Sequence, residues 1–317
     1  MIDFMIIFKY LTMNKKNEIS KVKNVVPASL LGRPSLNKLI IHSISDWLMI
    51  LVSVFTYLYF DNIFLKILCI ILTSTRIHSF GVILHDVSHM SLKYKNIRMR
   101  IIEFLTGYPT GTSVNAMKYH HSRHHQNTCL NIDPYLKKNI EGNLWLKKFY
   151  SLKACILIPF WHLRPLLGVP AFYIPSLRSY YAKIFLQDRS QSKNLKKSSE
   201  VKTCCFEDHF QLVFSVLLFY ILQKTGLILF YLFSVALAGI AAGHRLIKEH
   251  QHVEVKSRDL STVLKNTNDH NLNGLGKFFF APRNIGYHKV HHLHPQVAWY
   301  NLPKLRKWYV EQLKNSY

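Results

Sequence analysis

Four apolar stretches constrain this chain more than any other feature. Residues 39–60 and 63–84 form a pair around the polar Asp61-Asn62. Each is long enough to cross the ~30 Å hydrocarbon core of a bilayer as a helix. Residues 210–222 and 227–243 form a second pair around Lys224-Thr225-Gly226, and the first of these is short for that thickness. His42, Asp46, Lys66, Arg76 and His78 interrupt the first pair, and polar groups at such depth belong against protein rather than lipid. Hydrophobic residues make up 49% of the chain and are clumped into these runs. The expectation is an all-α integral membrane fold with about four transmembrane helices.

The formal charge of +24 bears on partners. Lys and Arg border the apolar runs, notably at 93–100 and 183–202, which reads as cytoplasmic flanks facing anionic headgroups and not as a nucleic-acid surface. Residues 149–175 are apolar but hold His162, Arg164 and four prolines, Pro159, Pro165, Pro170 and Pro175. A single crossing there would put the histidines downstream on the opposite side from those upstream. The segment is therefore read as interfacial or re-entrant. Residues 1–11 read as a short interfacial anchor without the features of a signal peptide. The five cysteines form no Cys-x-x-Cys pair, so neither a disulfide framework nor a thiolate zinc site is indicated. The chain is expected to be one domain over 1–317, with a lead-in at 1–38, a core at 39–303 and a tail at 304–317.

Eighteen histidines are unevenly placed. His121-x-x-His124-His125 and His288-x-x-His291-His292 share one spacing, and His85-x-x-x-His89 precedes them. By composition alone such a triplet has an expectation of about 0.06, so two copies beside apolar runs are a signal. On a helix His85 and His89 are one turn apart and share a face. Within a triplet the i,i+3 and i,i+4 pairs share a face, while adjacent histidines diverge by about 100°. One triplet can therefore supply two metal ions, and the pair plus two triplets offer each of two ions about four imidazoles. Imidazole suits Zn, Cu, Fe and Ni. A set this large without thiolate fits a two-metal redox site better than one structural zinc. Four spans would place every cluster on one face of the membrane.

The motifs His-Asp-x-x-His, His-x-x-His-His and Gly286-Tyr-His-x-x-His-His-x-x-Pro295, followed by Trp299-Tyr-x-Leu-Pro303, resemble the membrane fatty acid desaturase family. The likeness runs from about residue 39 to 303. It implies a non-haem di-iron oxidase that uses O₂ at a cytoplasmic histidine-rich helical cap, with an acyl lipid reaching it from the membrane. The implied ligands are His85, His89, His121, His124, His125, His288, His291 and His292. In that family a further histidine beyond the fourth span completes the site. His250 stands in that place, with His244 and His252 as alternatives. On a helix continuing from the fourth span, His244 and His250 point in different directions, so only one would face the metals. Asp86, Glu249 and Asn284 are the expected partners of the ligand rings. No His-Pro-Gly-Gly haem motif occurs, so the resemblance implies an external electron donor of ferredoxin or cytochrome b5 type.

The function expected is desaturation of a fatty acyl chain. Hydroxylation or ketolation of a lipid or carotenoid at the same site is the alternative. A histidine-lined metal transporter is a weaker rival, because transport sites sit near the bilayer midplane and these clusters lie beyond the span ends.

Overall fold

The computed structural model describes residues 22–91, 96–190, 192, 194–270, 272 and 274–314. The anchor expected at 1–11, the two chain ends, and Lys93 and Lys95 of the basic flank lie outside the described residues. The helices that build the site are α1 (Leu36–Tyr59), α2 (Ile63–Ser88), α3 (Val114–Asn127), α4 (Leu144–Lys153), α5 (Leu157–His162), α6 (Arg164–Tyr173), α7 (Ser199–Lys224), α8 (Ile228–Glu249), α9 (His288–Leu293) and α10 (Leu302–Lys314). No strand occurs among the described residues, only a single antiparallel bridge between His250 and Thr267.

Four helices, α1, α2, α7 and α8, are long and apolar enough to cross a membrane. A fifth crossing exists only if residues 144–162 and α6, bent by 43°, count as one span. The first hairpin turns where Asn62 caps α2, its Oδ1 accepting from the N–H groups of Phe64 at 3.0 Å and Leu65 at 3.1 Å. α2 is the central span, with 61% of its apolar window buried against 28–33% for the other three. It is therefore the helix best placed to carry a buried site.

The third span is longer than its apolar run. Hydropathy marks only 210–222, yet α7 starts at Ser199, so the basic loop read at 183–202 is cut short. The cause is that its early polar residues face protein. Asp208 is 0% exposed and pairs with Arg164 at 2.8 Å, and Glu207 accepts from Asn115 at 2.6 Å. Gln211 donates to the Tyr108 carbonyl at 3.0 Å. Charges inside a bundle are tolerated when paired in this way. Asp46 of α1 is treated likewise. It bridges Arg76 of α2 at 3.2 Å and Arg283 at 2.7 Å, tying the first hairpin to the segment before α9.

Residues 144–173 lie against α8 at two glycines. A Cβ at Gly239 would overlap the Ala154 carbonyl, and one at Gly243 would meet the Ala154 side chain. Small residues allow this approach between helices in lipid. The opposite side of the segment exposes Trp145, Phe149, Leu152 and Ile156, an apolar stripe suited to the membrane interface. The C-terminal part packs over the ends of α1 and α2, where Leu39, Leu84 and Val87 share a core with Val290, Leu293, Leu305 and Tyr309.

Candidate metal centre

The three histidine motifs occupy three helices. His85 lies in the last turn of α2 and His89 caps that helix, still in helical conformation. His121, His124 and His125 lie on α3, whose start is capped by Ser113. His288, His291 and His292 lie on α9, only six residues long. His250 differs from the sequence-based picture. The helix does not continue through it: α8 stops at Glu249, and His250 is extended, with φ −125° and ψ 143°. The backbone there pairs across the chain instead. Gln251 N–H donates to Asn266 at 2.8 Å and Asn268 N–H to Glu249 at 2.7 Å. A helical-wheel argument therefore does not apply to this residue.

These nine side chains converge as two groups. His85, His89, His121, His125 and His291 form one, and His124, His250, His288 and His292 the other, with the ligand atoms of each group within 4.8 Å of one another. All are buried except His89, which is half-buried. α3 divides between them, because its adjacent His124 and His125 diverge around the helix. The division is five and four rather than two equal sets. The His125 and His292 rings lie 4.3 Å apart across the boundary between groups.

The ring nitrogens are spaced for a cation. Nε2 of His121 is 3.0 Å from Nε2 of His89 and of His125, and His291 is 3.0 Å from His125. In the second group His288 is 3.0 Å from both His250 and His292, and His250 is 3.4 Å from His292. Neighbouring ligands of one ion with metal–nitrogen bonds of about 2.1 Å stand ~3.0 Å apart at right angles and ~3.4 Å apart at tetrahedral angles.

Tautomers strengthen the fit. Nδ1 of His124 faces Asp133 at 2.8 Å, Nδ1 of His250 faces the Leu246 carbonyl at 3.3 Å, and Nδ1 of His288 faces Glu249 at 3.6 Å. For His124 and His250 the acceptor assigns the proton to Nδ1 and leaves Nε2 as a bare lone pair. Converging buried lone pairs repel unless a cation sits among them. Burial, reinforced by neighbouring rings, holds His121, His125, His250, His288, His291 and His292 well below the ordinary 6.5. Burial and the nearby Lys118 take His89 down to about 3. The rings are thus neutral near pH 7, the form that binds metal.

Of the expected partners, Asp86 lies 3.6 Å from His85 Nδ1 and Glu249 lies 3.6 Å from His288 Nδ1. Asn284 sits in a turn at φ +57°, its carbonyl accepting from Tyr287 N–H at 3.1 Å. Among the described residues its side chain bonds to none of the nine rings. The sequence reading missed Asp133, which holds His124, and Tyr135, whose hydroxyl lies 3.4 Å from His121 Nδ1. Its signal was available: an Asp-Pro in the polar stretch directly after the second motif. Burial would raise the Asp133 pKa, but His124 and the N–H groups of Tyr135 and Cys129 outweigh it, so the carboxyl sits below its usual value.

The remaining histidines stand outside both groups. His244 packs against Phe280, and His252 accepts from Lys137 N–H at 3.2 Å. His120 stacks near Trp161. His162 binds Ser215 and Tyr231, each at 2.8 Å.

Comparison with known proteins gives a family match. Residues 62–317 match the family model described as fatty acid desaturase. A curated relative, the sphingolipid delta(4)-desaturase DES1 of Bos taurus, is 26% identical over 247 residues. That alignment covers 75% of this chain and 64% of the relative, so the chain spans under two thirds of the relative's length. No solved structure matches.

Proposed function

The chain belongs to the fatty acid desaturase family, and from that premise we propose that it is a multi-pass membrane oxidoreductase that desaturates a lipid acyl chain at an all-histidine di-iron site. The observation carrying this reading is the convergence of nine imidazoles as two groups with ring nitrogens 3.0–3.4 Å apart. The iron ligands proposed are His85, His89, His121, His125 and His291 for one ion, and His124, His250, His288 and His292 for the other. Iron bound there supplies O₂ activation, so that O₂, two electrons and two protons remove two hydrogens from adjacent carbons and leave as two waters.

The protein's own residues do the positioning. Asp133 and the Leu246 carbonyl hold the His124 and His250 rings of the four-histidine group with Nε2 inward, and Glu249 faces His288 at 3.6 Å. Asp86 faces His85 and also accepts from Trp299 N–H at 2.9 Å, which anchors the Trp-Tyr-x-Leu-Pro tail to the first motif. The closed packing around the rings keeps water from the reacting carbon. The proposed domain is single over 1–317. Its histidine face and both ends lie on the cytoplasmic side, a reading supported by Arg98 and Arg100 after the first motif and Lys196 and Lys197 before α7. Electrons come from a separate carrier of the ferredoxin or cytochrome b5 type.

The test is expression in a host lacking desaturases, with lipid profiling and metal analysis of the purified protein. The expected result is an unsaturated product and about two irons per chain. One zinc without iron, after expression with iron available, overturns the di-iron reading. An alcohol in place of the alkene overturns desaturation while leaving the site intact. Labelling of a cysteine introduced near Lys196 from the non-cytoplasmic side overturns the orientation.

A further inference from the structure

Tyr135 stands between the two histidine groups. Its ring stacks on His124 of the four-histidine group at 4.3 Å and lies 6.0 Å from His121 of the five-histidine group. Its hydroxyl is 3.4 Å from His121 Nδ1. Among the described residues no other phenol, indole or phenyl ring touches any of the nine histidines. The placement is fixed by one atom. Asp133 Oδ1 accepts from His124 Nδ1 and from the Tyr135 N–H, both at 2.8 Å, so a single carboxylate oxygen sets ligand and tyrosine together. A phenylalanine would supply the same stack, so the hydroxyl calls for a reason of its own.

The ring contacts continue outward through a histidine that neither group uses. His120 lies 5.8 Å from Tyr135 and stacks 6.2 Å from Trp161, with planes 27° apart. Trp161 is half-buried between the exposed Phe160 and Leu163, so the series ends at the protein surface. Gly111 keeps that end close to the start of α3. It takes φ +73°, and a Cβ there would stand 2.9 Å from the Trp161 carbonyl carbon. Phenol and indole lose one electron more readily than the other ring side chains, and electron transfer weakens steeply with distance. Tyr135 is thus the oxidisable ring in contact with both groups, and Trp161 the next one on the way out.

A site that reduces O₂ takes its last two hydrogens from the acyl chain. With no chain bound, the oxidising power left at the site falls on the nearest oxidisable group. We propose that Tyr135 is redox-active and discharges the site when no acyl chain is bound, through a relay that runs past His120 to Trp161. This rests on the di-iron reading above and goes beyond it. The Tyr135 O–H bond breaks, one electron and one proton leave the phenol, and one electron and one proton enter the water being formed. The phenoxyl then takes an electron from Trp161 and a proton back onto its oxygen. The external electron carrier reduces the indole radical at the surface. Two such rounds replace the two substrate hydrogens, so O₂ takes four electrons and four protons in all and leaves as two waters.

The experiment mixes anaerobically reduced, iron-loaded protein with O₂ in nanodiscs of a branched diphytanyl ether lipid, which offers no acyl chain. Samples frozen at intervals are read by electron paramagnetic resonance, with iron content and O₂ uptake measured alongside. A tyrosyl radical should appear and decay, and its signal should narrow in protein grown on ring-deuterated tyrosine. Tyr135→Phe, which keeps the ring stack, should retain its iron and lose the radical. Trp161→Phe should prolong the radical severalfold, and it carries the test if Tyr135→Phe does not fold. After repeated cycles, peptide mass mapping should find oxidation at Trp161 in the wild type and at the ligand histidines in Tyr135→Phe. O₂ uptake without a radical, or a radical unchanged in both variants, overturns this inference alone. Iron-loaded protein that takes up no O₂ overturns the di-iron reading and this inference with it.

Discussion

The two histidine groups reach similar geometry by different means. In the five-histidine group four ligands come from α2 and α3, two long helices whose own periodicity aims His85, His89, His121 and His125. Among the described residues the only carboxylate within ion-pair distance of its rings is Asp86, at 3.6 Å from His85. In the four-histidine group only His124 comes from a long helix. His288 and His292 ride on the six-residue α9, and His250 on extended chain. That group carries the tighter buttress, Asp133 at 2.8 Å from His124, and Glu249 beside His288. The hydrogen-bonded carboxylate thus serves the long-helix ligand His124, while His250 on extended chain is held by the Leu246 carbonyl at 3.3 Å and by the backbone pairing of its neighbours.

Removing the ligand on extended chain should give the largest effect. His250→Ala is expected to abolish turnover and lower iron from about two per chain to about one, with the protein still inserted. His244→Ala and His252→Ala should keep measurable activity. Metal analysis and product assay on the three variants decide it. Loss of iron in His244→Ala with His250→Ala intact would reverse the assignment.

The carboxylates come next and test the contrast directly. Asp133→Ala should weaken metal binding at the four-histidine group by about 10–100-fold. Asp86→Ala should cost the other group less, because Asp86 stands 3.6 Å from His85, beyond hydrogen-bond reach, whereas Asp133 bonds His124 at 2.8 Å. Chelator competition on the loaded protein measures both, and a larger loss for Asp86→Ala would break the comparison.

The smallest effect is a pH dependence of the metal-free protein. Burial holds His270 and His252 at about 4 and His89 at about 3 in the folded state. Unfolded rings take up protons near 6.5, before the folded ones do. Stability is therefore fully present above about pH 6.5 and is lost as pH falls toward 4. Thermal unfolding without metal should show a midpoint falling through that window. A flat midpoint from pH 7 to 4.5 would mean the rings are not held neutral by burial.

Much of this protein was legible before any coordinate. The apolar runs marked all four spans, since transfer of side chains to lipid is a local property of composition. The repeated triplet marked the histidines, since i,i+3 and i,i+4 spacing is local geometry. Charged groups obscured the rest. Glu207 and Asp208 broke the apolar pattern of α7 although they are buried, because their partners Asn115 and Arg164 are far away in sequence.

The chain order alone thus determined an all-helical membrane fold and which motifs carry imidazole. Only the tertiary structure decided which imidazoles share a group, that His250 leaves the helix to join one, and that Asp133 holds His124. Helical periodicity is written in neighbouring residues. A bridge such as His250 to Thr267 depends on segments brought together in space, and no spacing within one segment encodes it.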